Sequence, residues 1–361
     1  MSRSLTTQGG RIPGLDSLRC LCALWVALHH GARPDLAAWF GLSGVAEDWN
    51  AVAFDGVAAV MMFFVISGLC VHYPQARSGT LVLPAYATQR FLRVGIPLLA
   101  VAAFVKFGGG IVGDAIATAP RMVLWSLWCE LIYYAIYPAL RIGFRRIGLG
   151  WLIGAAFVAA YAVIFSHWGL MLYWSYPRTL CWVAALPAWL LGCAIAERLA
   201  EGRLPALPGS VWWWRAAALV LSIPPKALLY PSISPIAIGN PATLLPFSIF
   251  VFFWLMKEIA TFTAKPPPAA LEWGGRWSYS LYLTHNIVIA AFAASAWQPA
   301  GPGGGVVRWA VQLAAILAAS YAFYCVVERP AHRLARTTGA WLARPRTVVQ
   351  PVALPATVLD R

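Results

Sequence analysis

Apolar runs of about 20 residues succeed one another along almost the whole chain, parted by short breaks that hold Pro, Gly or charge. A helix of that length matches a hydrocarbon core of about 30 Å. In lipid the backbone must satisfy its own hydrogen bonds, which leaves only helices or a closed barrel. A barrel would show alternating segments of about 10 residues, and none is visible. With 60% hydrophobic and only 11% charged residues, the chain is also too apolar for an ordinary water-soluble protein. The expected fold is therefore an all-α integral membrane protein, a bundle of about ten transmembrane helices. Spans are expected at residues 14-31, 52-73, 90-107, 119-140, 149-166, 178-199, 211-229, 241-258, 277-297 and 306-327.

Charge orients the bundle. The first span lacks a small-residue cleavage site after a short apolar core, so it reads as retained, and an even number of spans puts both termini on one side. Of the 27 Lys and Arg, Arg33, Lys106, Arg121, Arg178, Lys226 and Arg308 fall in one set of loops and Arg19 within the first span. All the others lie at the termini or in the opposite set, which the positive-inside rule makes cytoplasmic. The net charge of +14 is thus spread over short juxtamembrane loops such as "RIGFRR" (141-146), where anionic lipid headgroups, not nucleic acid, are the partners. The three tryptophans Trp212, Trp213 and Trp214 read as part of an interfacial aromatic belt. One transmembrane domain covers residues 1-330, and a short basic cytoplasmic tail covers 331-361. "KPPP" (265-268) and "GPGGG" (301-305) are linkers. All seven cysteines fall within expected spans, with the spacing of neither a disulfide framework nor a zinc cluster, so they read as packing residues and no metal is expected.

The chemistry must come from polar side chains inside the spans. "GGGIVG" (108-113) satisfies G-x-G-x-x-G but follows a membrane helix and not a strand, so a dinucleotide fold is not supported. "GLDSLRCLCALWVALHH" (14-30) sets Arg19, His29 and His30 in an apolar run. On an uninterrupted α-helix, Arg19 and His30 differ by only about 20° in direction and lie about 16.5 Å apart. Asp16 stands where an N-cap would sit. Arg90 and Arg93 share a face at the start of the third span, and with Arg19 they form a cationic cluster suited to a multiply phosphorylated cytosolic ligand. Glu130, in "WSLWCELIYY", is the one carboxylate expected in mid-membrane, where function is the default reading. Ser278, Ser280 and His285 are expected to line the same interior, and Glu328 to cap a helix or pair with an arginine.

In these motifs the chain resembles the membrane acyltransferase-3 family. Arg19 and His30 match its first-helix spacing, and "FFVISGL" (63-69) resembles its phenylalanine-pair and Ser-Gly segment. "RFLR" matches its R-x-x-R, "WSLWCELIYYAIYP" its W-S-L-x-x-E pattern, and "SYSLYLTH" and "ERP" its late motifs, all in family order from residue 11 to 330. One departure is that Met61 and Met62 precede the phenylalanine pair, where members often carry Asp.

The resemblance implies an acyl-CoA-dependent transferase that moves an acyl group, usually acetyl, from a cytosolic donor to a hydroxyl at or beyond the membrane. The acceptor would be a polysaccharide, lipid-linked sugar, peptidoglycan or small molecule of the cell envelope, and the location a bacterial inner membrane. Carried over residue by residue, His30 is the catalytic histidine, Arg19 its motif partner, Arg90 and Arg93 the CoA contacts and Glu130 an essential acid. On this reading His30 removes the acceptor proton while Glu130 orients or stabilises the imidazole. Direct transfer and a covalent acyl-histidine both remain open. The rival reading is a proton-coupled transporter of a glycan or polyol, with Arg19, His30 and Glu130 as relay.

Overall fold

The computed structural model describes residues 11–301 and 303–344, and among them it is all-helical, without a strand. The principal helices are α1 (Leu15–Ala27), α2 (Gly56–Ser78), α3 (Leu83–Phe107), α4 (Leu124–Arg146), α5 (Leu149–Ser166), α6 (Cys181–Ala200), α7 (Val211–Ala227), α8 (Asn240–Ala264), α9 (Ser278–Ala294), α10 (Gly304–Phe323) and α11 (Arg329–Leu342). A helix covers most of every expected span, but crossing a membrane is a stricter condition. Six helical stretches are long and apolar enough for it: Val45–Ser78, Asp114–Arg146, Leu149–Ser166, Cys181–Ala200, Asn240–Ala264 and Gly304–Leu342. By contrast α1, α7 and α9 have 13, 17 and 17 residues.

The core is built on close helix contact. At the crossing of α2 and α6, a Cβ on Gly68 would stand 1.9 Å from Trp189 O and one on Gly192 2.0 Å from Val65 O, so two glycines let the backbones touch. Gly275, in the short helix Ala269–Gly275, approaches the start of α1 just as closely, with Asp16 O at 1.9 Å from its ideal Cβ. These contacts set α2 against α6 and the short helix Ala269–Gly275 against the start of α1.

Several sequence expectations are corrected here. Asp16 is not the N-cap of α1: Gly14 is, with φ 79°, and Asp16 within the first turn pairs with Arg11 at 2.5 Å and Arg19 at 3.7 Å. The free first-turn donor goes instead to Glu272, whose Oε1 accepts from Ser17 N at 3.0 Å and Ser17 Oγ at 2.8 Å. Glu328 does the same for α9, where Oε2 accepts from Ser280 N at 3.0 Å and Ser280 Oγ at 2.5 Å. It caps a helix from outside, one of the two roles expected of it, and among the described residues its hydrogen bonds go to Ser280.

Nor is Glu130 the sole acid buried inside the bundle. Asp55, Glu258 and Glu328 are all more deeply enclosed. Glu258 is held by a two-pronged Arg215 at 2.7 and 2.9 Å and by Trp254 Nε1 at 3.0 Å, so its charge is paired in place. The first part of the expected basic tail is helical too. It forms most of α11, which packs along α3 with Gly339 against Gln89. The rest of that tail, residues 345–361, and Pro302 of the "GPGGG" linker lie outside the described residues.

Candidate active site

α1, α2, α3, α4 and α9 enclose a cavity of about 110 Å³ whose polar lining comprises Arg19, Ser67, Arg90, Arg93, Ser126, Glu130, Tyr134, Ser278, Tyr279 and Tyr282. Glu130 is the one carboxylate among its lining residues. It accepts from Ser67 Oγ at 2.7 Å across the α2–α4 contact and from Tyr134 OH, one turn along its own helix. Trp189 Nε1 donates to Ser67 Oγ at 3.3 Å, so the acid ends a short chain of donors. One turn before Glu130 on α4, Ser126 Oγ meets Tyr282 OH of α9 at 2.6 Å.

Arg19, Arg90 and Arg93 line this cavity and also a wider one of about 690 Å³. The wider mouth adds Arg11, Arg276, Arg329, Arg333, Arg336 and His332, with Asp16 as the lone carboxylate among its lining residues. Three guanidiniums thus stand where the two spaces join, as their sequence positions anticipated. Arg90 is braced by Cys70 O at 2.9 Å and by the Tyr134 ring, 5.9 Å from its Cζ. Arg93 Nε is 3.1 Å from His332 Nε2. A guanidinium only donates, so that nitrogen is the acceptor, and its 3.3 Å approach to Glu328 Oε1 is a contact without a shared proton.

His30 lies beyond this cavity and not in its lining. It belongs to a wide π turn, Leu28–Ala32, that ends α1, and Gly31 with φ 128° supplies a conformation few other residues could adopt. The wide turn breaks the regular phase on which the shared face of Arg19 and His30 was argued. The expected pairing of Glu130 with His30 is likewise not what the structure shows. α9 packs against α1, so His285 reaches His30, while Glu130 on α4 is taken up by Ser67 and Tyr134.

The hydrogen bonds fix the tautomers. His285, fully buried, bonds Leu281 O through Nδ1 at 2.9 Å, which requires Nδ1–H and leaves Nε2 as an acceptor. His30 Nδ1 lies 3.1 Å from that Nε2 and 2.9 Å from Val26 O, two acceptors for one proton. His30 Nε2 therefore keeps its lone pair. The Tyr282 ring, centred 6.2 Å from the His285 ring, connects this pair to the cavity wall.

Next to it, Lys226 donates to Ala51 O at 2.6 Å and Phe54 O at 3.0 Å and lies 3.0 Å from His29 Nδ1. Asp55 Oδ1 caps α2 through Val57 N and Ala58 N at 2.9 and 3.3 Å. Sequence reasoning gave no role to Ser67, Tyr134, His332, Lys226 or Asp55. For Lys226 and Asp55 a signal existed, since both are ionisable residues placed in apolar segments. Among the described residues, no group of three or more His, Cys, Asp or Glu is placed to hold a metal ion.

The arrangement joins an arginine-lined mouth to a small polar chamber, with the His30–His285 pair one layer beyond. Residues 12–325 match the model of an acyltransferase domain, that of the acyltransferase-3 family. The chain belongs to this family. Across 223 residues it is 27% identical to nodulation protein 10 of Rhizobium leguminosarum bv. viciae, covering 60% of this chain and 56% of that protein. The chain thus spans little more than half the length of this curated relative. No solved structure matches it. Arg19, His30, Arg90, Arg93 and Glu130 all lie within the matched acyltransferase domain.

Proposed function

We propose that the protein is a multi-pass enzyme of a bacterial inner membrane that transfers an acyl group, acetyl in the first instance, from cytosolic acyl-CoA to a hydroxyl of a glycan or other envelope acceptor. The proposed topology has ten crossings with both termini cytoplasmic, which puts the arginine-lined mouth on the cytosolic side. The observation that carries the reading is the sharing of Arg19, Arg90 and Arg93 between that mouth and the chamber holding Glu130. Phosphates bound at the junction would leave the uncharged pantetheine arm to enter the chamber. A transported glycan or polyol would have no use for such a cluster of guanidiniums.

In the chemical step the acceptor oxygen attacks the thioester carbonyl and His30 Nε2 takes its proton. Collapse of the tetrahedral intermediate breaks the C–S bond, and the proton passes to the departing thiolate. His285 acts through His30 by holding its other nitrogen. Glu130, with Ser67 and Tyr134, shapes the chamber and balances the arginines. The test follows free thiol release from acetyl-CoA by detergent-purified protein with a hydroxyl acceptor present. His30→Ala is expected to lower turnover by about 100-fold or more while saturable acyl-CoA binding persists, and Arg90→Ala to weaken binding. Unchanged thiol release in His30→Ala would overturn the assignment; no thiol release and no binding by folded wild type would favour the transporter.

A further inference from the structure

One pair of side chains outside this machinery sits where chemistry is possible. Cys129 Sγ, on α4 next to Glu130, lies 3.5 Å from Cys181 Sγ at the first position of α6, and both residues are buried. The sequence gives no hint of the contact, because 52 positions separate the two. The backbones on either side are tied together independently of the sulfurs. Trp128 Nε1 donates to Arg178 O at 3.0 Å, and Tyr133 OH donates to Trp182 O at 2.7 Å. Bracketed in this way, the two thiols are held in register, and an S–S bond of about 2.05 Å needs a closure of only about 1.5 Å. Among the other described cysteines, Cys22 is directed at Met62 Sδ and Cys193 at Gly68 O, so no comparable partner is formed there.

In the topology proposed above, the N-terminal ends of α4 and α6 lie on the side away from the basic mouth, in the compartment where disulfides form and persist. We propose that Cys129 and Cys181 are a disulfide site that fastens α4, and with it Glu130, to α6. The oxidant is a protein disulfide of the thiol-oxidase class. One cysteine thiolate attacks it to give a mixed disulfide, and the second thiolate displaces the oxidase sulfur. Two protons leave the cysteine thiols and two electrons reduce the oxidase disulfide to a dithiol. Both thiols are enclosed once the helices have packed, so the exchange belongs to the stage before α4 and α6 close on each other.

The test captures the thiol state inside the cell. Cells producing the full chain are quenched in acid and free thiols are blocked with N-ethylmaleimide under denaturing conditions. The purified protein is then digested without reductant and mapped by mass spectrometry. The expected result is that all but two of the seven cysteines carry the label, with the Cys129 and Cys181 peptides joined until reduced. Labelling of all seven overturns the proposal, as does linkage of either residue to a different cysteine. Cys181→Ser should release Cys129 for labelling and abolish the joined peptide. In the wild type, reductant should lower the apparent Tm in detergent, and this sensitivity should vanish in Cys181→Ser. Thiol release from acetyl-CoA, measured on the same samples, reports separately on the catalytic reading.

Discussion

At the scale of single residues, the site is governed by which nitrogen of each imidazole holds a proton. His285 is fully buried outside the cavity lining, with the Leu281 carbonyl and His30 as hydrogen-bond partners and the Tyr282 ring beside it. In the proposed mechanism its effect passes through His30, by holding Nδ1–H so that Nε2 remains the base. His285→Ala is therefore expected to lower kcat on the order of 10- to 100-fold with the KM for acyl-CoA unchanged. His285→Gln can present an oxygen to His30 Nδ1–H and should recover much of the loss, which steady-state kinetics on both variants would reveal. Equal losses in the two variants would indicate packing alone. Arg19, Arg90, Arg93, Glu130 and His30 were legible as residues because charge and imidazole in an apolar run stand out in one dimension. Their partners were not. Ser67 is an ordinary residue until α2 and α4 are seen face to face, and the bonds of Glu130 go to it and to Tyr134 on its own helix, not to His30.

At the scale of elements, positions of helices could be read from apolar run length, whereas interruptions could not. The π turns at Leu28–Ala32 and Tyr324–Glu328 place His30 and Glu328, yet nothing in composition separates "LHHGA" or "YCVVE" from the helices around them. A π turn arises when tertiary contacts favour one residue more per turn, and that choice is made by neighbours far away in sequence. The crossing of α2 and α6 has a clearer local origin in two glycines. Gly192→Ala would drive a methyl group to 2.0 Å from Val65 O, a backbone atom that cannot swing aside. A loss of about 1 to 3 kcal/mol is expected, read as a lower thermal midpoint in detergent. Gly150→Ala, on α5 with nothing within 4 Å of its ideal Cβ, is the matched control and should leave the midpoint in place. Because α2 carries Ser67 and α6 carries Trp189, Gly192→Ala should also weaken the support behind Glu130.

At the scale of the whole molecule, charge is segregated, and in the proposed function the segregation makes the donor's phosphates the handle. The excess of Lys and Arg could be assigned to one set of loops from the sequence, but its convergence on one mouth depends on α11 folding back along α3 to bring Arg329, Arg333 and Arg336 beside Arg90 and Arg93. A field built by many guanidiniums of one sign attracts a polyanion from a distance and is screened by salt over about 10 Å at 0.1 M ionic strength. Raising the salt from low to physiological strength should therefore increase the KM for acetyl-CoA severalfold with little change in kcat. The acetyl thioester of pantetheine has no phosphate, so its KM should be higher from the start and nearly insensitive to salt. The double variant Arg333→Ala with Arg336→Ala removes two charges from α11 without touching the chamber, and it should bring the two substrates closer together by harming only the nucleotide-bearing one. Equal salt dependence for both thioesters would mean that the mouth gathers something other than the donor, for example anionic headgroups of the surrounding bilayer.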